Sequence, residues 1–135
     1  MSGEIDLKKL IAAMTPVLAE TEYVFGTLDT NSYEQLAQLE PIGTFQEKEG
    51  LTVIVKKEKA EEFNIIHSGT FKCITLAVHS SLDAVGLTAA VATKLTQANI
   101  SANVIAAYYH DHIFIASQDA EKALACLNEL VLQEQ

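Results

Sequence analysis

The sequence predicts an α+β fold, an antiparallel sheet with helices on one face, arranged as two related halves. Three observations lead there. The chain has 135 residues, a length for one domain or two very small ones sharing a core. Its second half reads strand, helix, strand, strand, helix. Its first half reads as a looser copy: helix, strand, strand, helix.

The second half is the clearer one. Phe71–Val78 (FKCITLAV) is apolar and β-rich, as a central strand should be. Ser80 and Asp83 then have capping-box spacing, which satisfies otherwise orphaned helix donors. Leu87, Val91, Leu95 and Ala98 follow at helical intervals, and Asn99 is a stop. Asn103–Tyr108 and Ile113–Ala116 read as short strands, with the polar Tyr109–His112 as a hairpin between them. Ser117 opens a last helix whose first turn carries Asp119 and Glu121, which suits the dipole. Ala120, Ala123, Leu124, Leu127, Leu130 and Val131 form its apolar stripe.

In the first half, Asp6 is read as the cap of a helix carrying Leu7, Leu10, Ile11 and Met14, ended or kinked near Pro16. Tyr23–Leu28 is a strand, 29–41 is irregular, and Ile42–Phe45 is extended. Leu51–Lys56 is a strand after a turn at Gly50, and Lys57–Phe63 is a short helix. Asn64–Gly69 is a linker in which His67 reads as structural. The βαββα order is that of a split-βαβ, ferredoxin-like, two-layer sandwich. There the first strand lies between the third and the closing strand, antiparallel to the third. Each half lacks the closing strand, so the neighbouring half or a second chain must supply it.

Composition narrows the function. Apolar residues make up 49% and charged ones 20%, which is globular. The formal net charge of −9 opposes nucleic-acid phosphates and anionic membranes, so neither is an expected partner. Neither a spanning stretch nor a signal peptide is legible, and Cys73 and Cys126 read as free thiols of a cytoplasmic protein. No phosphate loop, nucleophile elbow or paired-cysteine metal site is present, so no enzyme activity, cofactor or resident metal is expected.

The strand-to-helix loop is the candidate site. A helix start presents free N–H groups and a partial positive charge to a carboxylate. Ser80 and Ser81 add hydroxyls, Gly86 permits close approach, and Leu87 follows as an apolar contact. Asp83 either caps the helix or pairs with a ligand ammonium. If the first and third strands are antiparallel neighbours, His79 meets His112, and His110 lies at the same end of the sheet. His110 and His112 are then candidates for a ligand carboxylate or a subunit contact. With His79 they also form a possible metal set.

HSSLDAVGLTAAVATKL (His79–Leu95), YYHDHIFIA (Tyr108–Ala116) and the striped last helix resemble an ACT domain. EGLTVIV (Glu49–Val55) resembles the strand before the second repeat of tandem ACT proteins. The whole chain is similar to a small stand-alone bacterial type with two ACT-like repeats. The resemblance implies a tandem βαββαβ fold, with a divergent αββα repeat at 1–68 and an ACT domain at 69–135. It also implies a regulatory module that senses an amino acid or similar small carboxylate at a repeat or subunit interface. A homodimer and a regulated enzyme are the implied partners. By the same analogy Glu49 holds the ligand's amino group and Thr52 lies beside it. The first half has nothing matching His79–Gly86, so one site per chain, or one shared between chains, is expected. The competing reading is an adaptor that dimerises through a sheet edge and takes no small molecule.

Overall fold

A computed structural model describes residues 3–29, 33–78 and 86–135. The elements are α1 (Gly3–Ala12), β1 (Thr15–Leu28), α2 (Tyr33–Leu39), β2 (Gly43–Gln46), β3 (Leu51–Lys56), α3 (Lys57–Glu62), β4 (Ile66–His67), β5 (Phe71–Ala77), α4 (Leu87–Gln97), β6 (Asn103–Ala106), β7 (Asp111–Ala116) and α5 (Ala120–Gln133). They group into two compact units, one of residues 1–20 with 72–135 and the other of residues 21–71.

In the larger unit the strand order is β1-β5-β7-β6. This is the ferredoxin-like order, and the closing strand is the chain's own residues 15–20. Thr75 meets His112 while Val78 meets His110, so β5 and β7 run in opposite directions. β6 and β7 form the expected antiparallel hairpin, with Ile105 opposite His112. Ile74 and Leu76 on β5 and Ile113 and Ile115 on β7 share one sheet face and a core, while Cys73 and Phe114 between them are buried on the other face. The first of these faces packs on Ile11 and Met14 of the amino-terminal segment, Leu87, Val91 and Leu95 of α4, and Leu127 and Leu130 of α5.

In the smaller unit β3 pairs with β1 from Tyr23↔Lys56 to Leu28↔Leu51, and β2 pairs with the other edge of β3. β4 pairs with β1 at Gly26 and Thr27. Val24, Leu28, Val53 and Val55 form a second core with Leu39, Ala60 and Ile65.

Two helices end alike. Asn99 at φ 60° follows α4, with Asn99 N–H on Thr96 O and Ile100 N–H on Leu95 O, both at 2.9 Å. Asn64 at φ 53° follows α3, with Asn64 N–H on Glu61 O (3.4 Å) and Ile65 N–H on Ala60 O (2.9 Å). Each is a Schellman stop: Asn takes the left-handed position, and the next residue, Ile65 or Ile100, is buried. The stop at Asn99 was legible in the sequence; that at Asn64 fell inside the presumed linker.

The first half departs from expectation in four places. Asp6 lies inside α1 and is not its cap. β1 begins at Thr15, eight residues before Tyr23, and contains Pro16. An edge strand tolerates proline because no N–H is required on its open side. Residues 33–39, expected to be irregular, form α2, which buries Leu39. Part of the presumed 64–69 linker is β4. No described helix is long and apolar enough to cross a membrane.

Candidate functional site

β5 ends at Ala77 and α4 begins at Leu87. His79, Ser80, Ser81 and Asp83 lie between them, outside the described residues, as does the expected Ser80–Asp83 capping box. The described end of the connection is Gly86, at φ +98°, where a Cβ would come within 2.9 Å of Leu7 Cδ2 on α1. The left-handed backbone favours glycine, and any Cβ there would also push the Leu7 side chain aside. Gly86 O accepts from Ala90 N–H at 2.9 Å, the first bond of α4. Leu87, expected as a ligand contact, is 2% exposed and belongs to the core. Gly86 also borders a groove of about 500 Å³ with Leu7, Thr93, Lys94 and Leu130. The Lys94 ammonium there is paired with Glu129 at 3.0 Å, so it is not an open anion site.

His110 and His112 both reach β5. His110 Nδ1–H donates to Val78 O at 3.3 Å, and His112 Nδ1 bonds Thr75 Oγ1 at 2.9 Å. His110 lies in the turn before β7, closed by Ala107 N–H on His110 O at 3.1 Å, whereas His112, expected in that turn, is already on β7. The hairpin tip is therefore held at the end of β5 from which the β5–α4 connection departs. Thr75 and His112 alternate with core residues on their strands, so they occupy the sheet face turned away from the helices. Burial, and then the neighbouring His110 charge, push the His112 pKa below 6.5, with Asp111 opposing them. A neutral His112 acts through hydrogen bonds rather than as a fixed cation.

Two residues before Thr75 on β5, Cys73 has its thiol pKa raised by burial, with a hydrogen bond from Thr75 acting the other way. Cys73 and Cys126 are free. Among the described residues no three His, Cys, Asp or Glu side chains are grouped to hold a metal; His79 is not among them.

Glu49 and Thr52 belong to the smaller unit and border different hollows. The Thr52 hydroxyl donates to Glu47 Oε1, not to Glu49. Thr52 borders a hollow of about 500 Å³ with Phe25, Gly26, Glu47, Ile66 and His67. Glu49 borders another of about 260 Å³ with Asp29, Gln35, Phe63 and Asn64. The turn 47–50 thus separates Glu47 from Glu49. Sequence reading missed Glu47, although a threonine across a hairpin turn from it was a readable signal.

Family models for the ACT domain match this chain twice in tandem, over residues 2–73 and 69–129. The chain belongs to the ACT-domain family. The two matched segments meet near residue 70. Packing groups the chain otherwise, since α1 and residues 15–20 pack with the second ACT segment. A solved protein of unknown function from Vibrio cholerae, named a possible transport protein, is 48% identical with a TM-score of 0.87, over 96% of this chain and 99% of that one. A protein from Agrobacterium tumefaciens shares the fold at 16% identity and TM-score 0.72, over 87% and 89% of the two chains. The ligand-free regulatory subunit of aspartate kinase from Thermus thermophilus does so at 13% identity and TM-score 0.67, over 87% and 97%. No curated protein matches the chain.

Proposed function

We propose that this tandem ACT chain is a regulatory module that binds an amino acid or a similar small carboxylate beside the β5–α4 connection. It works as a homodimer in the cytoplasm and passes the binding event to an enzyme. The observation that carries this is the seating of the 110–112 segment on β5. His110 on Val78 O and His112 on Thr75 bring polar, hydrogen-bonding groups to the strand end where Ser80, Ser81 and Asp83 follow. Gly86, at the far end of that connection, begins a helix whose free N–H groups suit a carboxylate. Family membership adds support, because ACT domains are regulatory rather than catalytic. So does the regulatory subunit named among its structural neighbours.

A thermal-shift screen of the twenty amino acids at millimolar concentration tests it. A ligand present at about ten times its Kd adds about 1.4 kcal/mol, or a few degrees of Tm. At least one amino acid raises Tm, and Ser81→Ala or Asp83→Ala abolishes the rise. Failure of all twenty, with both variants behaving like the parent, overturns the proposal.

A second reading is an adaptor that dimerises through a sheet edge and needs no small molecule. It draws on β2, the edge strand of the smaller unit, which leaves Phe45 72% exposed and is preceded by Ile42 at 53%. Under that reading Phe45→Glu dissociates the oligomer, and no amino acid changes Tm.

A further inference from the structure

The hollow beside Thr52 has a chemistry of its own, in a unit separate from the β5–α4 connection. Its two best-defined polar groups already use their hydrogens inside the chain. The Thr52 hydroxyl donates to Glu47 Oε1, which leaves the second carboxylate oxygen to accept. His67 Nδ1–H donates to Ile65 O at 2.7 Å, which leaves Nε2 as an acceptor in the neutral ring. The rim therefore offers acceptors, one of them charged.

Glu47 is not a loosely hung surface carboxylate. Its backbone N–H is held by Gly50 O at 2.9 Å, closing the β2–β3 turn. Gly50 lies so close to β1 that a Cβ there would stand 2.7 Å from Leu28 O and 3.0 Å from Thr27 Oγ1. The turn is thus pinned against β1, and Thr52 fixes the carboxylate from the next strand. The remaining wall is apolar. Phe25 is held edge-on by Phe71, at 5.3 Å between ring centres and 75° between planes. Ile66 projects 77% exposed from the two-residue β4. The net charge of −9 attracts cations to the whole molecule.

From this combination we infer that the hollow bordered by Phe25, Glu47, Thr52, Ile66 and His67 binds a primary ammonium carried on a short apolar body. The ammonium donates to the Glu47 carboxylate and His67 Nε2, and the hydrocarbon lies against Phe25 and Ile66. An exposed charge pair contributes little by itself, so affinity is weak, on the order of millimolar.

Amide NMR of the full chain, titrated with isoamylamine, isoamyl alcohol and isovalerate, tests the site. With the amine, shifts at Gly26, Thr52 and Ser68 saturate together at millimolar concentration. With the alcohol or the acid they do not. Glu47→Gln, which keeps an acceptor for Thr52, weakens the amine roughly fivefold. Ile66→Ala, at an exposed position that does not threaten folding, weakens it roughly threefold. Equal responses to amine and alcohol, a preference for isovalerate, or unchanged affinity in Glu47→Gln overturns the inference. Shifts at Val78 and Gly86 report on the β5–α4 site instead, so failure at one site is distinguishable from failure at the other.

Discussion

Replacing Ile11 with alanine tests which part of the chain the amino-terminal helix stabilises. Ile11 is 3% exposed and shares a core with α4, α5, β5 and β7, although in sequence it belongs to the first repeat. The substitution removes everything beyond the β-carbon. Burial of the lost carbons is worth about 0.8 kcal/mol for each CH₂-sized group, and the cavity left behind adds to that. A loss of about 3 kcal/mol follows, against a total of about 7–20 kcal/mol for a chain of this length. Native-state hydrogen exchange reads where the loss falls. A drop of this size accelerates exchange about 150-fold for amides that open with the affected unit. Those of β5, β7 and α5 accelerate, while those of β3 and α3 keep their protection. Val53→Ala, fully buried in the other core, gives the opposite pattern at about 2 kcal/mol. If Ile11→Ala instead accelerates β3 and α3 and spares β5 and β7, α1 packs with its own repeat and the assignment of residues 1–20 is wrong.

Gly26→Ala puts a Cβ 2.5 Å from Ile65 Cγ2 and 3.1 Å from Ile66 O, and costs about 1–3 kcal/mol in urea denaturation. A change within about 0.5 kcal/mol would mean that β4 does not lie against β1. Asn99→Ala loses about 1 kcal/mol because its left-handed backbone is retained, whereas Asn99→Gly loses nothing; equal losses would remove the Schellman stop. His112 has its pKa held below 6.5 by burial and by His110, so it stays neutral in the folded chain while the unfolded chain takes up a proton. Its contribution to stability is complete above about pH 6.5 and is lost as pH falls from there toward the lowered folded value. Urea midpoints of the parent and His112→Asn, measured between about pH 5 and 7.5, diverge toward higher pH in that window. Parallel curves would contradict the burial argument.

Much of the second half was legible because its signals are local. Leu87, Val91 and Leu95 recur at helical spacing and are all buried, as are Ala120, Ala123, Leu127, Leu130 and Val131 of the last helix's stripe. The 103–116 hairpin follows from two short apolar runs around a polar turn. That β5 and β7 are antiparallel neighbours was legible, but the expected meeting at His112 was not: His112 bonds Thr75, earlier on β5, and it is His110 that reaches Val78 at the strand end. Thr15–Glu22 was not legible: half of TPVLAETE is polar, it contains a proline, and it becomes a strand through its neighbour β5. The helix at 33–39 buries only Leu39, too little for a periodic signal. Glu49 and Thr52 looked like partners from their nearness in sequence, but hairpin geometry gave Thr52 to Glu47.

By itself the sequence determined the elements of the second half and the central strands of the first, because hydrophobic period, turn residues and helix stops act over a few residues at a time. Which strand closes which sheet was decided only in three dimensions. Residues 15–20 meet β5 across more than fifty intervening residues, a pairing that no local pattern encodes and that depends on the apolar faces buried once both are in place.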